Sequence, residues 1–269
     1  YLIIHLCLLL KLIMNKVSKL FDNVSNEYDD IYDSKKPKKL LSQEKRVRAA
    51  IVEELAADLI LQTKDEVVID IGCGIGNIIL NLKKRGVKAR MYGLDISQGM
   101  INIAKNKLDE SGYKDVKFIN GSLKDLTFKA NVLISIGVIG YQKQQEEFLA
   151  ELASLIEPNG YLIFTTANGD SFLRLARRFL SKTYSLIRAN KKRYGIEFSS
   201  IKDKRVKYIL TRSGFKVEKK VYITFGLGLF TSSIECYIDR LLLKFFSNSF
   251  VSKYISLTVI HVYKKVDHA

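Results

Sequence analysis

The chain has 269 residues, enough for one large α/β domain and too few for two ordinary ones. Its 47% hydrophobic and 27% charged residues are a globular composition able to bury a sizeable core, and two prolines argue against long rigid linkers. Cys7, Cys73 and Cys236 form no CxxC pair and no His/Cys cluster, which excludes the usual zinc patterns and a disulfide framework; a reducing, cytoplasmic setting is the simplest reading.

The first thirteen residues, YLIIHLCLLLKLI, are apolar but shorter than the roughly 20 residues a bilayer span needs. They lack the basic start and small-residue cleavage site of a signal peptide. Met14 is the expected natural start, with residues 1–13 a read-through extension; a truncated membrane anchor is the other reading. Residues 14–269 are expected to form one domain, with insertions at about 171–198 and 230–255.

Ser42 to Gln62 reads as a helix with Ser42 as N-cap, because Val47, Ala50, Ile51, Leu55, Ala56 and Leu59 recur at three- and four-residue steps. Val67 to Ile71 is a short buried strand ending in the glycine loop GCGIG. A helix from Ile78, a strand Arg90–Asp95, a helix Gln98–Glu110 and strands Val116–Asn120 and Asn131–Ile136 follow. Gln144 to Ile156 is helical and stopped by Pro158-Asn159-Gly160, a turn signal. A strand Tyr161–Thr166, a helix Ile201–Ser213 and strands Phe215–Thr224 and Ser256–Lys264 complete the order. Strands alternating with helices predict a mostly parallel sheet with helices on both faces.

The most informative stretch is VVIDIGCGIGN, Val67 to Asn77. A buried strand ends in Asp70, and Gly72, Gly74 and Gly76 follow at alternate positions. Glycines let the backbone turn sharply and approach a ligand with no Cβ in the way, and the next helix opens there with free N–H groups. Asp95 ends the second strand, where a carboxylate can accept both hydroxyls of a ribose. Nicotinamide-binding Rossmann domains share this logic, but their loop reads GxGxxG; here it reads DxGxGxG.

VVIDIGCGIGN, GLDIS, FINGSLKDL, NVLISIGVIGY and LIEPNGYLIFTT resemble, in order and spacing, the blocks of class I S-adenosylmethionine-dependent methyltransferases of the small-molecule type. The resemblance covers roughly Leu20 to Gly226 and the last strand. It implies a Rossmann-like, seven-stranded, mostly parallel sheet with the last strand antiparallel, S-adenosylmethionine as cofactor, and methyl transfer. Carried over residue by residue, Gly72, Cys73, Gly74 and Gly76 would shape the methionine site and Asp70 would steady the loop and the cofactor's ammonium. Asp95 would hold the ribose, with Ile96 and Met100 beside the adenine. Ser122 and Leu123 fall where the family often has an Asp and a small residue, so Ser122 departs from the pattern. Ser135 and Ile136 would face the reacting centre, and Tyr28 would close over the cofactor. Tyr141 is the candidate acceptor-side residue.

Methyl transfer from a sulfonium needs positioning more than acid–base machinery, so no metal and no triad are expected. Adenine-N6 and glutamine methyltransferases of this fold carry an Asn/Asp-Pro-Pro-aromatic block after the fourth strand; SIGVIGY has no proline and is similar to small-molecule members. The net charge of +16 is uneven: sixteen of the 44 Lys and Arg, but three of the 28 Asp and Glu, lie between Ser171 and Lys220. A basic amphipathic helix there suggests an anionic membrane surface, or simply a solvated lid. Ile234 to Ile255 is strongly apolar. The leading expectation is a small-molecule acceptor, apolar or membrane-associated; a nucleic-acid methyltransferase and a silent binding protein are the alternatives.

Overall fold

The computed structural model describes residues 17–25, 28, 40–61, 67–176, 199–225, 241–242, 244 and 250–267. The run 1–13 and most of both predicted insertions lie outside them.

A helix over residues 17–25 (α1) precedes α2 (Leu40–Ile60). The sheet then begins with β1 (Val67–Ile71), α3 (Asn77–Lys84), β2 (Arg90–Asp95), α4 (Gln98–Ser111), β3 (Val116–Asn120) and β4 (Ala130–Ser135). After α5 (Gln145–Ser154) come β5 (Ile156–Ala167), α6 (Asp203–Arg212), β6 (Phe215–Ile223), the single turn α7 (Ser252–Ile255) and β7 (Thr258–Lys265). The seven strands form one sheet in the order β3-β2-β1-β4-β5-β7-β6. The pairs from β3 to β5 are parallel, and β7 runs antiparallel to both β5 and β6.

The alternation of side chains along each strand divides the core in two. Val68, Val132, Ile134 and Ile163 bury against Val52 and Ala56 of α2, Ile79 and Leu82 of α3 and Ile101 and Ala104 of α4. Ile69, Leu133, Leu162, Phe164 and Tyr263 bury against Leu149 and Leu152 of α5 and Val206 and Leu210 of α6. Because both faces are covered, the central strands are apolar throughout, the expected signature of a doubly wound sheet.

Three local expectations are corrected. Ser42 lies inside α2, which starts at Leu40, so it is no N-cap. Pro158-Asn159-Gly160 does not separate helix from strand: β5 starts at Ile156 and bulges there, its pairing with β4 jumping from Ala130↔Ile156 to Val132↔Tyr161. A Cβ on Gly160 would lie 2.7 Å from the Asn131 carbonyl oxygen, so the bulge needs glycine for steric reasons. Helix α6 starts at Asp203 because Ile201 is still extended, bridging Asn168 in parallel. Among the described residues, no helix is long and apolar enough to cross a membrane.

Candidate functional site

The glycine loop joins β1 to α3 at the carboxyl end of the sheet, where open α/β sheets bind ligands. Gly72, Gly74 and Gly76 all have positive φ, at 73°, 54° and 76°, a region closed to most side chains. Two also serve packing: a Cβ on Gly72 would meet Val138 Cγ2 at 2.2 Å, and one on Gly76 would meet the Phe118 ring at 2.5 Å. Around Gly74 there is open space within 4 Å, so only there does the missing side chain leave the backbone approachable. The Gly72 and Cys73 amides donate to the Leu94 carbonyl at 2.7 and 3.1 Å, tying the loop to β2.

Asp95 sits against this loop. Its Oδ2 accepts the Gly74 amide and its Oδ1 accepts the Ser97 amide, each at 2.9 Å. Burial pushes its pKa up, opposed by these two amides. A carboxylate has about four lone-pair sites, so two further donors can be accepted. The next loop is clasped by α1: Asp22 Oδ1 accepts the Ser97 hydroxyl at 2.6 Å and the Gly99 amide at 3.0 Å, and Ser18 donates to the Ile96 carbonyl at 2.9 Å. Asp22 thereby places negative charge at the start of α4, which favours the helix N-terminus.

Asp70 ends the apolar face of β1 at 1% exposure. Neither of its oxygens has a hydrogen-bond partner among the described residues. Burial, reinforced by the Asp95 charge, raises its pKa to about 8. A buried carboxyl without partners is costly, and such groups cluster where a charged ligand completes them. Cys73 is buried beside it and its thiol is pushed well up, so it supplies volume and no thiolate nucleophile.

A second group of side chains lies together near the carboxyl edge of the sheet. Tyr28 and Tyr141 both meet the Phe21 ring edge-on, at 6.2 and 5.5 Å between centroids. Lys45 Nζ lies 4.0 Å from the Tyr28 ring centroid. Arg48, one turn further along α2, reaches the loop after β4: its Nη2 lies 3.3 Å from where a Cβ on Gly137 would be. Its Nε is buried without a hydrogen-bond partner among the described residues. Both tyrosine pKa values are raised, chiefly by burial; both phenols feel the Arg48 charge, and Tyr28 also feels Asp95. Arg48 and Asp95 thus both act electrostatically on the Tyr28 phenol.

The remaining predicted residues are more dispersed. Ile96 is half-buried in the clasped loop and Met100 is packed inside α4. The Ser122 hydroxyl and amide donate to Asp125 Oδ2 at 3.1 and 2.6 Å, so its hydroxyl proton is already engaged in a local cap; Leu123 packs against the α5–α6 side of the core. Ser135 is fully buried, opposite Phe164, and its hydroxyl has no partner among the described residues. Ile136 packs on the α2 side. Sequence reasoning missed Arg48 and Asp22. The signal that could have found Arg48 is its place on the helical face that also carries Ile51, Val52 and Leu55.

Residues 62–214, more than half of the chain, match the family model of a methyltransferase domain. The chain belongs to this methyltransferase domain family. Among curated relatives, it is 29% identical over 124 residues to a malonyl-[acyl-carrier protein] O-methyltransferase of Halalkalibacterium halodurans, a match covering 43% of this chain and 45% of that protein. It is 27% identical over 185 residues to the ubiquinone/menaquinone biosynthesis C-methyltransferase UbiE of Campylobacter jejuni, covering 62% and 76%. The first three of these relatives are spanned over only 45% to 59% of their length. In fold it resembles magnesium protoporphyrin IX methyltransferase of Synechocystis, crystallised with bound SAH, with TM-score 0.66 and 19% identity over 94% of this chain and 99% of that one.

The residues present fit S-adenosylmethionine. That molecule carries an ammonium and a carboxylate on its methionine arm and a diol on its ribose. Asp70 is a buried carboxyl lacking a partner, Arg48 a guanidinium with a buried, unpartnered Nε, and Asp95 an acceptor pair beside a glycine that leaves open space. Among the described residues, no group of three or more His, Cys, Asp or Glu is placed to hold a metal ion.

Proposed function

We propose that the protein transfers the methyl group of S-adenosylmethionine to a small-molecule acceptor, an apolar one in preference. The observation that carries this is the convergence of the unpartnered Asp70 carboxyl, the Asp95 carboxylate and the glycine loop at the carboxyl end of β1 and β2. Asp70 would take the cofactor's ammonium, Arg48 its carboxylate and Asp95 the ribose. When bound, the cofactor supplies a methyl group already activated by a sulfonium charge. The protein's part is then to orient the acceptor in line with that methyl and to exclude water. Phe21, Tyr28 and Tyr141 form an aromatic cover suited to that exclusion. Tyr141, its phenol held protonated by burial, would act toward the acceptor as a hydrogen-bond donor and not as a base.

The small-molecule reading draws on two supports. SIGVIGY after β4 lacks the proline block of adenine-N6 and glutamine enzymes. The relatives' names refer to malonyl-[acyl-carrier protein], to ubiquinone and menaquinone biosynthesis and to magnesium protoporphyrin IX. Calorimetry tests the proposal: S-adenosylmethionine and its demethylated product should bind, and NAD should not. Binding of NAD with no binding of either sulfur compound would sink it.

A further inference from the structure

Beside the crevice, beyond the carboxyl end of β5, lies an apolar face that the reading above does not use. Phe172 and Leu175, three residues apart on the helical residues 172–176, are 65% and 63% exposed, and Phe250 is 76% exposed. They form one patch. Phe172 stacks on Tyr254 at 5.7 Å and 22°, and Phe250 meets the same ring edge-on at 5.3 Å and 68°. Val251 adds a half-exposed side chain, and Lys253 Nζ stands 5.6 Å from the Tyr254 ring.

The patch is built on fixed backbone. The buried Asn168 amide donates to the Lys253 carbonyl at 2.8 Å, the Ser256 carbonyl at 3.0 Å and the Ser256 hydroxyl at 2.9 Å. The Arg174 guanidinium donates to the Leu257 carbonyl. The two segments are thus held together at the root of β5 and β7, with their aromatic rings pointing outward. Large contiguous apolar exposure marks an interaction surface, whereas scattered single residues do not.

Charge selects the partner. The two segments that carry the patch, residues 171–176 and 250–257, hold Arg174 and Lys253 and no Asp or Glu. A second copy meeting this face about a two-fold axis would bring like charges together. A nucleic acid would use the cations but leave exposed aliphatic side chains such as Leu175 and Val251 unburied. An anionic bilayer satisfies both features: rings and aliphatic groups enter the headgroup region while cations stay among lipid phosphates.

We propose that Phe172, Leu175, Phe250, Val251 and Tyr254, rimmed by Lys253, form the surface by which this protein lies on an anionic lipid bilayer. The surface follows the carboxyl end of β5, on the same edge of the sheet as the glycine loop, so an apolar acceptor dissolved in the lipid would have a short path to the site. The surface stands independently of the cofactor assignment.

The chain contains no tryptophan, so Phe172→Trp in the full chain introduces a single reporter. Its emission should shift to the blue on adding phosphatidylcholine vesicles containing phosphatidylglycerol, and much less with phosphatidylcholine alone. Raising the salt should weaken the effect. In co-sedimentation, Phe172→Ser combined with Phe250→Ser should lower partitioning at least about tenfold, given the apolar area withdrawn from lipid, and Lys253→Glu should lower it on anionic vesicles only. Leu175→Ser alone, at an exposed site, guards against a folding artefact; thermal unfolding and binding of S-adenosylhomocysteine should be unchanged in all variants. Absence of binding to anionic vesicles, equal binding to neutral ones, or wild-type partitioning of the double variant would overturn the proposal. So would displacement of vesicles by RNA at low salt, or loss of a dimer in the double variant. Because lipid and cofactor binding are read separately, failure of one leaves the other standing.

Discussion

The Asp95 carboxylate accepts the Gly74 amide at 2.9 Å across 21 residues of chain. This bond ties the end of β2 to the one glycine of the loop with open space around it. In the proposed site it would hold the methionine and ribose subsites at a fixed separation, so that a change at Asp95 acts on both.

Asp95→Ala is expected to weaken S-adenosylhomocysteine binding by roughly ten- to a hundredfold, since a hydrogen bond to a charged group contributes about 1.5–3 kcal/mol. The fold should persist, because Asp95 is not part of either apolar core. Isothermal titration together with circular dichroism checks both points. An unchanged dissociation constant would show Asp95 to be structural only.

Asp70 makes the site pH-dependent. Its folded pKa is raised from 3.8 to about 8. Below the unfolded value both states are protonated and nothing is lost; as pH rises from about 4 toward 8 the unfolded chain gives up its proton while the folded one keeps it. The unliganded protein should therefore lose stability over that window, and Asp70→Asn should flatten the slope. An ammonium ligand prefers the ionised form. Affinity for S-adenosylhomocysteine should accordingly rise between pH 6 and 7.5, by at most about tenfold per unit, with proton release on binding. Titrations in buffers of different ionisation heat measure that proton.

Gly72 and Gly74 should respond differently to alanine. Both pay for a left-handed backbone, about 1–2 kcal/mol, but a Cβ at Gly72 also strikes Val138 at 2.2 Å while Gly74 has open space. Gly72→Ala should therefore cost a further 1–3 kcal/mol or so through overpacking. Adding Val138→Ala should return part of that second cost and none of the first. Gly74→Ala should be the milder change in stability and should mainly affect cofactor binding. Urea unfolding of these three variants, with Val138→Ala alone completing the cycle, forms the test.

Asp22→Ala should loosen α1 from the loop after β2, because Asp22 Oδ1 receives both the Ser97 hydroxyl and the Gly99 amide. The expected signature is faster amide hydrogen exchange in residues 17–25 and weaker cofactor binding. Asp22→Asn should restore much of both, as its side-chain oxygen still accepts. If exchange in α1 is unaltered, the clasp is held by Phe21 packing instead.

Much of this protein was legible along the chain because the signals are local. Apolar periodicity marked the central helices and strands, and the run from Asp70 to Gly76 announced a ligand loop, since positive φ at three alternate positions is a demand the sequence must meet with glycine. Asp95 was readable for the same reason: it ends a strand at a fixed step from that loop. Tertiary structure alone decided what lies opposite. Arg48 reaches the Gly137 loop from a helix far earlier in the chain, and Asp22 caps α4 across 75 to 77 residues. Ser122, which stands where the family often has an Asp, gives its hydroxyl proton to Asp125 three residues on, a local pairing that spacing does not settle. The bulge at Gly160 depends on the neighbouring β4 carbonyl, and the Phe172–Tyr254–Phe250 face joins segments nearly eighty residues apart in sequence. Periodicity tells which side of an element is buried; which distant side chain waits there depends on how the elements cross, and only the folded chain sets that.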